Sequence, residues 1–118
     1  MLAEVLALAY VLTVEPEPPP PCTIYALTEP CAGADHPYVR FLTEAAPVIE
    51  CESGGNELAV GAAGERGLLQ LHPVHQIRVE QLGYTWDQMF ERYPNLHVAY
   101  TIWLRQSWWP WAYCGRNK

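Results

Sequence analysis

Positive charge is scarce in this sequence. Its 118 residues contain 7 Lys and Arg against 13 Asp and Glu, and no Lys or Arg precedes Arg40. Residues 1–36 carry five acidic side chains and a net charge of −5, whereas residues 37–118 carry eight acidic and seven basic side chains and a net charge of −1. A surface that binds nucleic acid needs clustered cations to neutralise phosphates. The composition therefore argues against nucleic acid as a partner.

Long apolar runs are missing as well. The apolar run at residues 2–14 has 13 residues, includes Glu4 and is too short for a transmembrane helix. It resembles the hydrophobic part of an export signal but lacks a basic n-region and an Ala-x-Ala cleavage site. We expect residues 1–14 to be a degraded or truncated export signal. A short helix packed on the domain is the alternative.

The chain contains no Cys-x-x-Cys pair, so a zinc ribbon or a thioredoxin-like site has no support. The four cysteines that are present suggest disulfides in an oxidising compartment. Of the three pairings, Cys22–Cys31 with Cys51–Cys114 is preferred because each pair then lies within one region. The second bridge would close a 64-residue loop, worth roughly 4 kcal/mol on the chain-entropy model. Free, buried thiols are the alternative.

Eleven prolines and eight glycines predict extensive irregular structure. Residues 15–21 read Glu-Pro-Glu-Pro-Pro-Pro-Pro, which predicts a stiff, solvated polyproline II spacer. We therefore expect a Pro-rich and irregular linker over residues 15–36 and a single domain over residues 37–118, preceded by the apolar segment 1–14.

Apolar residues at helical spacing open the domain and predict a helix that ends at Gly54-Gly55. They are Tyr38, Phe41, Leu42, Ala45, Val48 and Ile49. Asp35 is the expected N-cap, and Pro47 is expected to kink or restart the helix. Extending the same stripe reaches Glu52, so its carboxylate is expected on the core-facing side.

Three further helices are predicted downstream, and no strand alternation or internal repeat is found. The first covers residues 75–82, and the second begins with the capping box Thr85-Trp86-Asp87-Gln88 and ends near Arg92. The third starts at Pro94-Asn95 and is lined on one face by Leu96, Ala99, Tyr100 and Trp103. An aromatic loop follows at residues 107–114. The domain is therefore predicted to be mainly α.

Glu52 is the foremost candidate for chemistry. A carboxyl group on an apolar stripe loses solvation, which disfavours its charged form and raises its pKa. A carboxylic acid with a raised pKa is what cleavage of a glycosidic bond requires, because the leaving oxygen must be protonated. The alternative is a glutamate in the last helical turn that bends away to solvent.

The residues around Glu52 carry a family resemblance. Four segments in this order resemble the lytic transglycosylase (SLT domain) family of lysozyme-like proteins. They are Glu52-Ser53-Gly54-Gly55-Asn56, then Gly67-Leu68-Leu69-Gln70 after a loop, then a helix led by Pro94-Asn95, and the Trp-rich ending Trp108-Trp109-Pro110-Trp111. The resemblance covers roughly residues 38–115, with Leu69 in place of the usual Met. It implies a small lysozyme-like helical domain with long loops.

The resemblance also implies roles for individual residues. Glu52 matches the family's catalytic acid and base, and Ser53 and Gln70 match residues that shape the sugar site. Tyr113 matches the tyrosine of an Ala-Tyr-Asn-x-Gly motif, although Cys114 stands where that motif has Asn. Among the aromatic side chains, Trp108 and Tyr113 are predicted to bind substrate by stacking on sugar rings. Core packing is the alternative for the tryptophans and is expected of Trp109 or Trp111.

The implied reaction is cleavage of the β-1,4 bond between N-acetylmuramic acid and N-acetylglucosamine in peptidoglycan. Glu52 would protonate the glycosidic oxygen and then take a proton from the C6 hydroxyl, which gives a 1,6-anhydro product without a second acid. Glu65 is the other loop carboxylate that could act at the site, by orienting a water and making the enzyme a hydrolase. A salt bridge from Glu65 to Arg66 or Arg78 is the alternative. A non-catalytic saccharide-binding module and a disulfide-stapled structural domain are two further readings of the chain.

The histidines do not predict a metal site. His72 and His75 are close in sequence, but Pro73 separates them and no acidic residue lies at helical spacing from them as in a zincin. We therefore expect no metal and no cofactor. We expect a monomer that acts on peptidoglycan glycan strands outside the cytoplasm, as a secreted or phage-associated protein.

Overall fold

The computed structural model describes residues 37–115, and the mainly helical character predicted from the sequence is confirmed there. The predicted apolar segment, the Pro-rich linker and the pair Cys22–Cys31 lie outside the described residues. The helices are α1 at Pro37–Ser53, α2 at Gln76–Gln81 and α3 at Arg92–Gln106. Two 3-10 helices, Pro73–His75 and Trp86–Phe90, precede α2 and α3. No helix within residues 37–115 is long and apolar enough to cross a membrane.

Helix α1 buries one stripe and ends where the glycines predict. Its buried side chains are Tyr38, Phe41, Ala45 and Val48. The helix runs through Pro47 without a restart, and this proline is exposed on the side opposite the core. Gly54 and Gly55 have φ values of 64° and 82°, a region that glycine enters without steric cost, and they terminate the helix.

Helix α3 is the central element of the domain. Every residue from Pro94 to Trp103 is buried, so α3 is covered on all sides and not only on the single face that the sequence predicts. It begins at Arg92, two residues before the predicted start. The helix tolerates Pro94 in its first turn, because the N–H that proline lacks would have no intrahelical acceptor there. The predicted capping box at Thr85 and Gln88 is present, but it opens a 3-10 helix.

An aromatic cluster joins α1 to α3 and to the loop that follows. Trp108 stacks on Phe41 with ring centroids 5.7 Å apart and planes 8° apart, and it meets Trp111 edge-on at 5.3 Å. Phe41 also packs on Tyr100 and Trp103, each at 5.5 Å. Full burial of one such side chain contributes roughly 1.5–3 kcal/mol. This cluster therefore supplies much of the stability that holds α1 in place.

The disulfide Cys51–Cys114 is present as predicted, with the two Cα atoms 5.7 Å apart. It fastens the last turn of α1 to the end of the aromatic loop, 63 residues later in the sequence. The bridge and the aromatic cluster thus attach the same loop to both ends of α1.

Candidate active site

Glu52 lies in the last turn of α1 and is half-buried, whereas its neighbour Glu50 is exposed. Burial raises the pKa of Glu52 above its ordinary value, and the charge of Glu65 raises this pKa further. The direction of the shift agrees with the expectation from the apolar stripe. At the end of α1, Glu52 is therefore the carboxyl group that is predisposed to hold a proton.

Glu65 lies in the loop that follows α1 and comes close enough to Glu52 to act on its titration. Its Oε1 atom accepts a hydrogen bond from the backbone N–H of Ala63 at 2.8 Å. The adjacent Arg66 is directed away and pairs with Asp87 at 2.8 Å, with its guanidinium over the rings of Trp86 and Phe90. The salt bridge from Glu65 to its sequence neighbour Arg66 is therefore not formed.

Gln70 holds the same loop in shape. Its Nε2 donates to the carbonyl oxygens of Ala59 at 3.1 Å and Gly67 at 3.0 Å. A Cβ atom at Gly61 would lie 2.5 Å from Oε1 of Glu65 and 2.7 Å from Oε1 of Gln70, so a side chain at this position would displace both groups. Two polar groups assigned to the site from the sequence are thus brought together over Gly61.

Ser53 has its hydroxyl group occupied at the end of α1. Its Oγ donates to the carbonyl oxygen of Ile49 at 3.2 Å and accepts from the backbone N–H of Gly55 at 3.2 Å. These contacts join the last turn of α1 to the glycine turn that follows it. In this structure Ser53 shapes the turn directly after Glu52.

Asn95 is the residue of this region whose importance the sequence did not reveal. It is 0% exposed, its Oδ1 accepts from the backbone N–H of Leu69, and its Nδ2 donates to the carbonyl oxygens of Arg66 and Met89. The carbonyl oxygen of Leu69 in turn accepts from Trp111 Nε1 at 2.8 Å. The backbone directly before Gln70 is thereby held from two sides. The only signal in the sequence is the Pro94-Asn95 pair at the start of a helix.

Replacement of Asn95 by alanine is expected to lower the free energy of unfolding by about 3 kcal/mol, because it leaves the buried N–H of Leu69 and the buried carbonyl oxygen of Met89 without their partner. Urea unfolding of the two proteins measures the difference. Asn56→Ala is the matched control. Asn56 is exposed and its side-chain Oδ1 accepts one local hydrogen bond, from the backbone N–H of Leu58, so this substitution should change stability by less than about 1 kcal/mol. Equal losses in the two variants would contradict this role for Asn95.

The structure divides the tryptophans into buried and exposed side chains differently from the sequence prediction. Trp108 is 4% exposed, its ring stacks on Phe41, and its Nε1 donates to Glu44 at 2.7 Å. This burial corrects the assignment of Trp108 to the substrate-binding surface. Trp111 is buried, as expected for a core ring, whereas Trp109 is 81% exposed. The sequence could not separate these rings because they are adjacent and chemically identical.

Tyr113 is 73% exposed, and its part in binding substrate stays a prediction. It neighbours Cys114, just as Glu52 neighbours Cys51, so the disulfide ties the two residues together. With 5.7 Å between the bridged Cα atoms and about 3.8 Å per peptide unit, the Cα atoms of Tyr113 and Glu52 lie within about 13 Å of each other.

His72, after the loop, has a structural role. His72 Nδ1 accepts from the backbone N–H of Val74 at 3.0 Å and caps the 3-10 helix Pro73–His75. Burial lowers the pKa of His75, with His72 and Arg78 lowering it further. Within residues 37–115, no three His, Cys, Asp or Glu side chains are grouped so that they could hold a metal ion.

Comparison of the chain with protein-family models, with curated proteins and with solved structures gives no match.

Proposed function

We propose that this protein cleaves the β-1,4 bond between N-acetylmuramic acid and N-acetylglucosamine in peptidoglycan, by lytic transglycosylation. The observation that carries the proposal is the half-buried Glu52, whose pKa is raised by burial and by Glu65 at the end of α1. An acid of this kind remains protonated to a higher pH than an exposed glutamate and can donate its proton to a leaving oxygen.

In the proposed reaction Glu52 acts twice. The protonated carboxyl group donates its proton to the glycosidic oxygen as the bond to the anomeric carbon breaks, and the muramyl N-acetyl group assists at that carbon. The Glu52 carboxylate then accepts the proton of the C6 hydroxyl, whose oxygen closes onto the anomeric carbon. The product is a 1,6-anhydro sugar, and the acid is regenerated. This order of steps is the one implied by the resemblance of Glu52-Ser53 and Gly67-Leu68-Leu69-Gln70 to the lytic transglycosylase family.

Hydrolysis of the same bond is the second candidate, and the position of Glu65 favours it. Glu65 lies near Glu52 and its carboxylate is not paired with Arg66, which binds Asp87 instead. A second carboxylate close to the acid is the arrangement by which a water is oriented or activated in glycoside hydrolysis. In that case water, and not the C6 hydroxyl, would attack the anomeric carbon.

Mass spectrometry of the soluble products from purified peptidoglycan tests both candidates. Anhydro-muramyl ends are expected for the transglycosylase and reducing ends for the hydrolase. The absence of released muropeptides from an otherwise folded protein would contradict both and leave a saccharide-binding module.

Replacement of Glu65 by glutamine is expected to shift the pH dependence of cleavage. The charge of Glu65 raises the pKa of Glu52, so its removal lowers that pKa, and Glu52 then loses its proton at a lower pH. Because the first step needs protonated Glu52, the alkaline limb of the rate profile should move to lower pH. Initial rates measured against pH for both proteins give the shift. Glu57→Gln is the control, since Glu57 pairs with Arg92 and does not contribute to the Glu52 shift.

An unchanged alkaline limb in Glu65→Gln would mean that Glu65 does not act on the catalytic acid. Loss of cleavage at every pH, with the fold retained, would instead assign Glu65 a direct part in the reaction and support the hydrolase.

A further inference from the structure

A cleft lies at the N-terminal end of α1, whereas Glu52 lies at its C-terminal end. It has a volume of about 500 Å³, and Arg40, Trp103, Arg105, Gln106 and Trp109 are among the residues that line it. Arg40 is in the first turn of α1 and Glu52 in the last, so about 18 Å of helix separates them at about 1.5 Å per residue. The cleft is therefore distinct from the proposed site of cleavage.

The backbone at the end of α3 directs Trp109 into solvent at this cleft. Ser107 follows the last residue of α3 with φ 53° and ψ −141°, a strained conformation that side-chain-bearing residues rarely adopt. The turn is held by the backbone hydrogen bonds from Ser107 N to Trp103 O and from Trp109 N to Gln106 O. As a result Trp108 enters the core and Trp109 stays 81% exposed. The strained turn thus presents a large, flat apolar ring where burial would otherwise be favoured.

Arg40 is held in a defined position beside this ring. Its guanidinium lies over the ring of Trp103, 4.9 Å from the centroid. Its Nε is 3.7 Å from one oxygen of Glu44, whose other oxygen accepts from Trp108 Nε1. The Arg40 side chain nevertheless remains 67% exposed, so its outer N–H groups can reach a ligand. A guanidinium oriented in this way favours carboxylate ligands.

From these observations we propose that the cleft at Trp109 and Arg40 is a second glycan-binding site, which takes a saccharide that carries a carboxylate. The exposed indole provides a stacking face for a sugar ring, Arg40 provides a partner for the carboxylate, and the Gln106 amide provides donors and an acceptor for hydroxyl groups. Peptidoglycan offers both features, in the sugar rings of its glycan strand and in the free carboxylates of its stem peptides. Only this identification of the glycan rests on the proposed function.

The second site would retain the protein on the wall while Glu52 cleaves elsewhere on it. Residues 37–118 have a net charge of −1, so long-range attraction to an anionic polymer is weak. A local aromatic and cationic site supplies the attachment that overall charge does not.

Co-sedimentation with purified peptidoglycan sacculi tests the proposal. The parent protein is the full chain with Glu52→Gln, so that the sacculi remain intact during the measurement. Trp109→Ala in this parent is expected to weaken binding roughly tenfold, the effect of losing one well-stacked aromatic ring. Arg40→Gln is expected to weaken binding several-fold on native sacculi. It should have no effect on sacculi whose carboxylates have been converted to amides.

Ile77→Ala is the matched control, because Ile77 is an exposed apolar side chain on α2, away from the cleft. Its binding should equal that of the parent, and circular dichroism should be the same for all variants. Binding of Trp109→Ala equal to the parent, an equal loss in Ile77→Ala, or no sedimentation of the parent would each overturn the second site. An equal effect of Arg40→Gln on native and amidated sacculi would overturn its carboxylate specificity.

The two proposals fail separately. If the protein with Glu52 intact leaves peptidoglycan uncleaved while Trp109-dependent sedimentation persists, the proposed function is wrong and the second glycan-binding site stands. If cleavage requires Glu52 but Trp109→Ala binds as the parent does, the second glycan-binding site is wrong and the proposed function stands.

Discussion

Glu52→Gln is expected to lower the rate of peptidoglycan cleavage by about 10³-fold, within the range that a general acid contributes. Glutamine has nearly the same shape as glutamate but cannot donate the proton that the glycosidic oxygen needs. In the transglycosylase reaction it also cannot accept the proton of the C6 hydroxyl, so both steps of the reaction are lost. Release of muropeptides from purified sacculi, followed by chromatography and mass spectrometry, measures the effect.

The fold should survive this substitution and gain slightly in stability at neutral pH. Burial and Glu65 raise the pKa of Glu52 in the folded protein above its value in the unfolded chain, so the ionised form is disfavoured in the fold. Between these two pKa values the folded protein binds more protons, and stability falls as pH rises. The neutral amide of glutamine removes that loss. The difference in stability between Glu52→Gln and the unchanged protein should vanish below the pKa that Glu52 has in the unfolded chain.

Glu50→Gln is the appropriate control for Glu52→Gln. It removes the same charge two residues away on α1, from an exposed side chain. Its cleavage rate should remain close to that of the unchanged protein. Cleavage by Glu52→Gln at the unchanged rate would exclude Glu52 as the acid, and an equal loss in Glu50→Gln would indicate that net charge near the helix end, and not the acid, is responsible.

Removal of the disulfide Cys51–Cys114 is expected to have the largest effect on stability. Replacing both cysteines by serine opens a loop of 63 residue steps, which lowers the free energy of unfolding by about 4 kcal/mol on the chain-entropy model. For a domain of this size the melting temperature should fall by roughly 20 °C. Thermal and urea unfolding under non-reducing conditions measure the change.

The double variant Cys22→Ser/Cys31→Ser is the matched control for the bridge. It removes the same number of cysteines outside the described domain and should change the unfolding of the domain by less than about 1 kcal/mol. If Cys51→Ser/Cys114→Ser unfolds at the same urea concentration as the unchanged protein, the bridge is dispensable. The aromatic cluster around Phe41 and Trp108 would then be sufficient to hold the loop on α1.

Local signals in the sequence predicted the helix ends well. The end of α1 at Gly54-Gly55 and the capping box at Thr85 are confirmed, because each depends on residues within one turn of each other. For Pro47 the sequence predicts a kink or a restart of α1, and the helix continues through it without a restart. Packing of Ala45 and Val48 against the core, on either side of Pro47, outweighs the one hydrogen bond that the proline removes.

The candidate site could be predicted only in part. Glu52, Ser53 and Gln70 were identified from the spacing of a motif, and the raised pKa of Glu52 follows from its apolar stripe. The approach of Glu65 to Glu52 could not be predicted, because it depends on how the loop folds over Gly61. The same holds for Asn95, which binds backbone groups from segments up to 29 residues away.

By itself the sequence determined the mainly helical character, the end of α1, the preferred Cys51–Cys114 pairing and the place of Glu52 in the last turn of α1. These features depend on periodicity, on turn residues and on the regional placement of four cysteines. Tertiary structure alone decided which tryptophan is buried and which is exposed, whether Glu65 pairs with Arg66, and what holds Gln70 in place. Each of these outcomes is a choice between partners of similar chemistry that are distant in the sequence. Such a choice is settled by packing in three dimensions, as the strained turn at Ser107 settles it for Trp108 and Trp109.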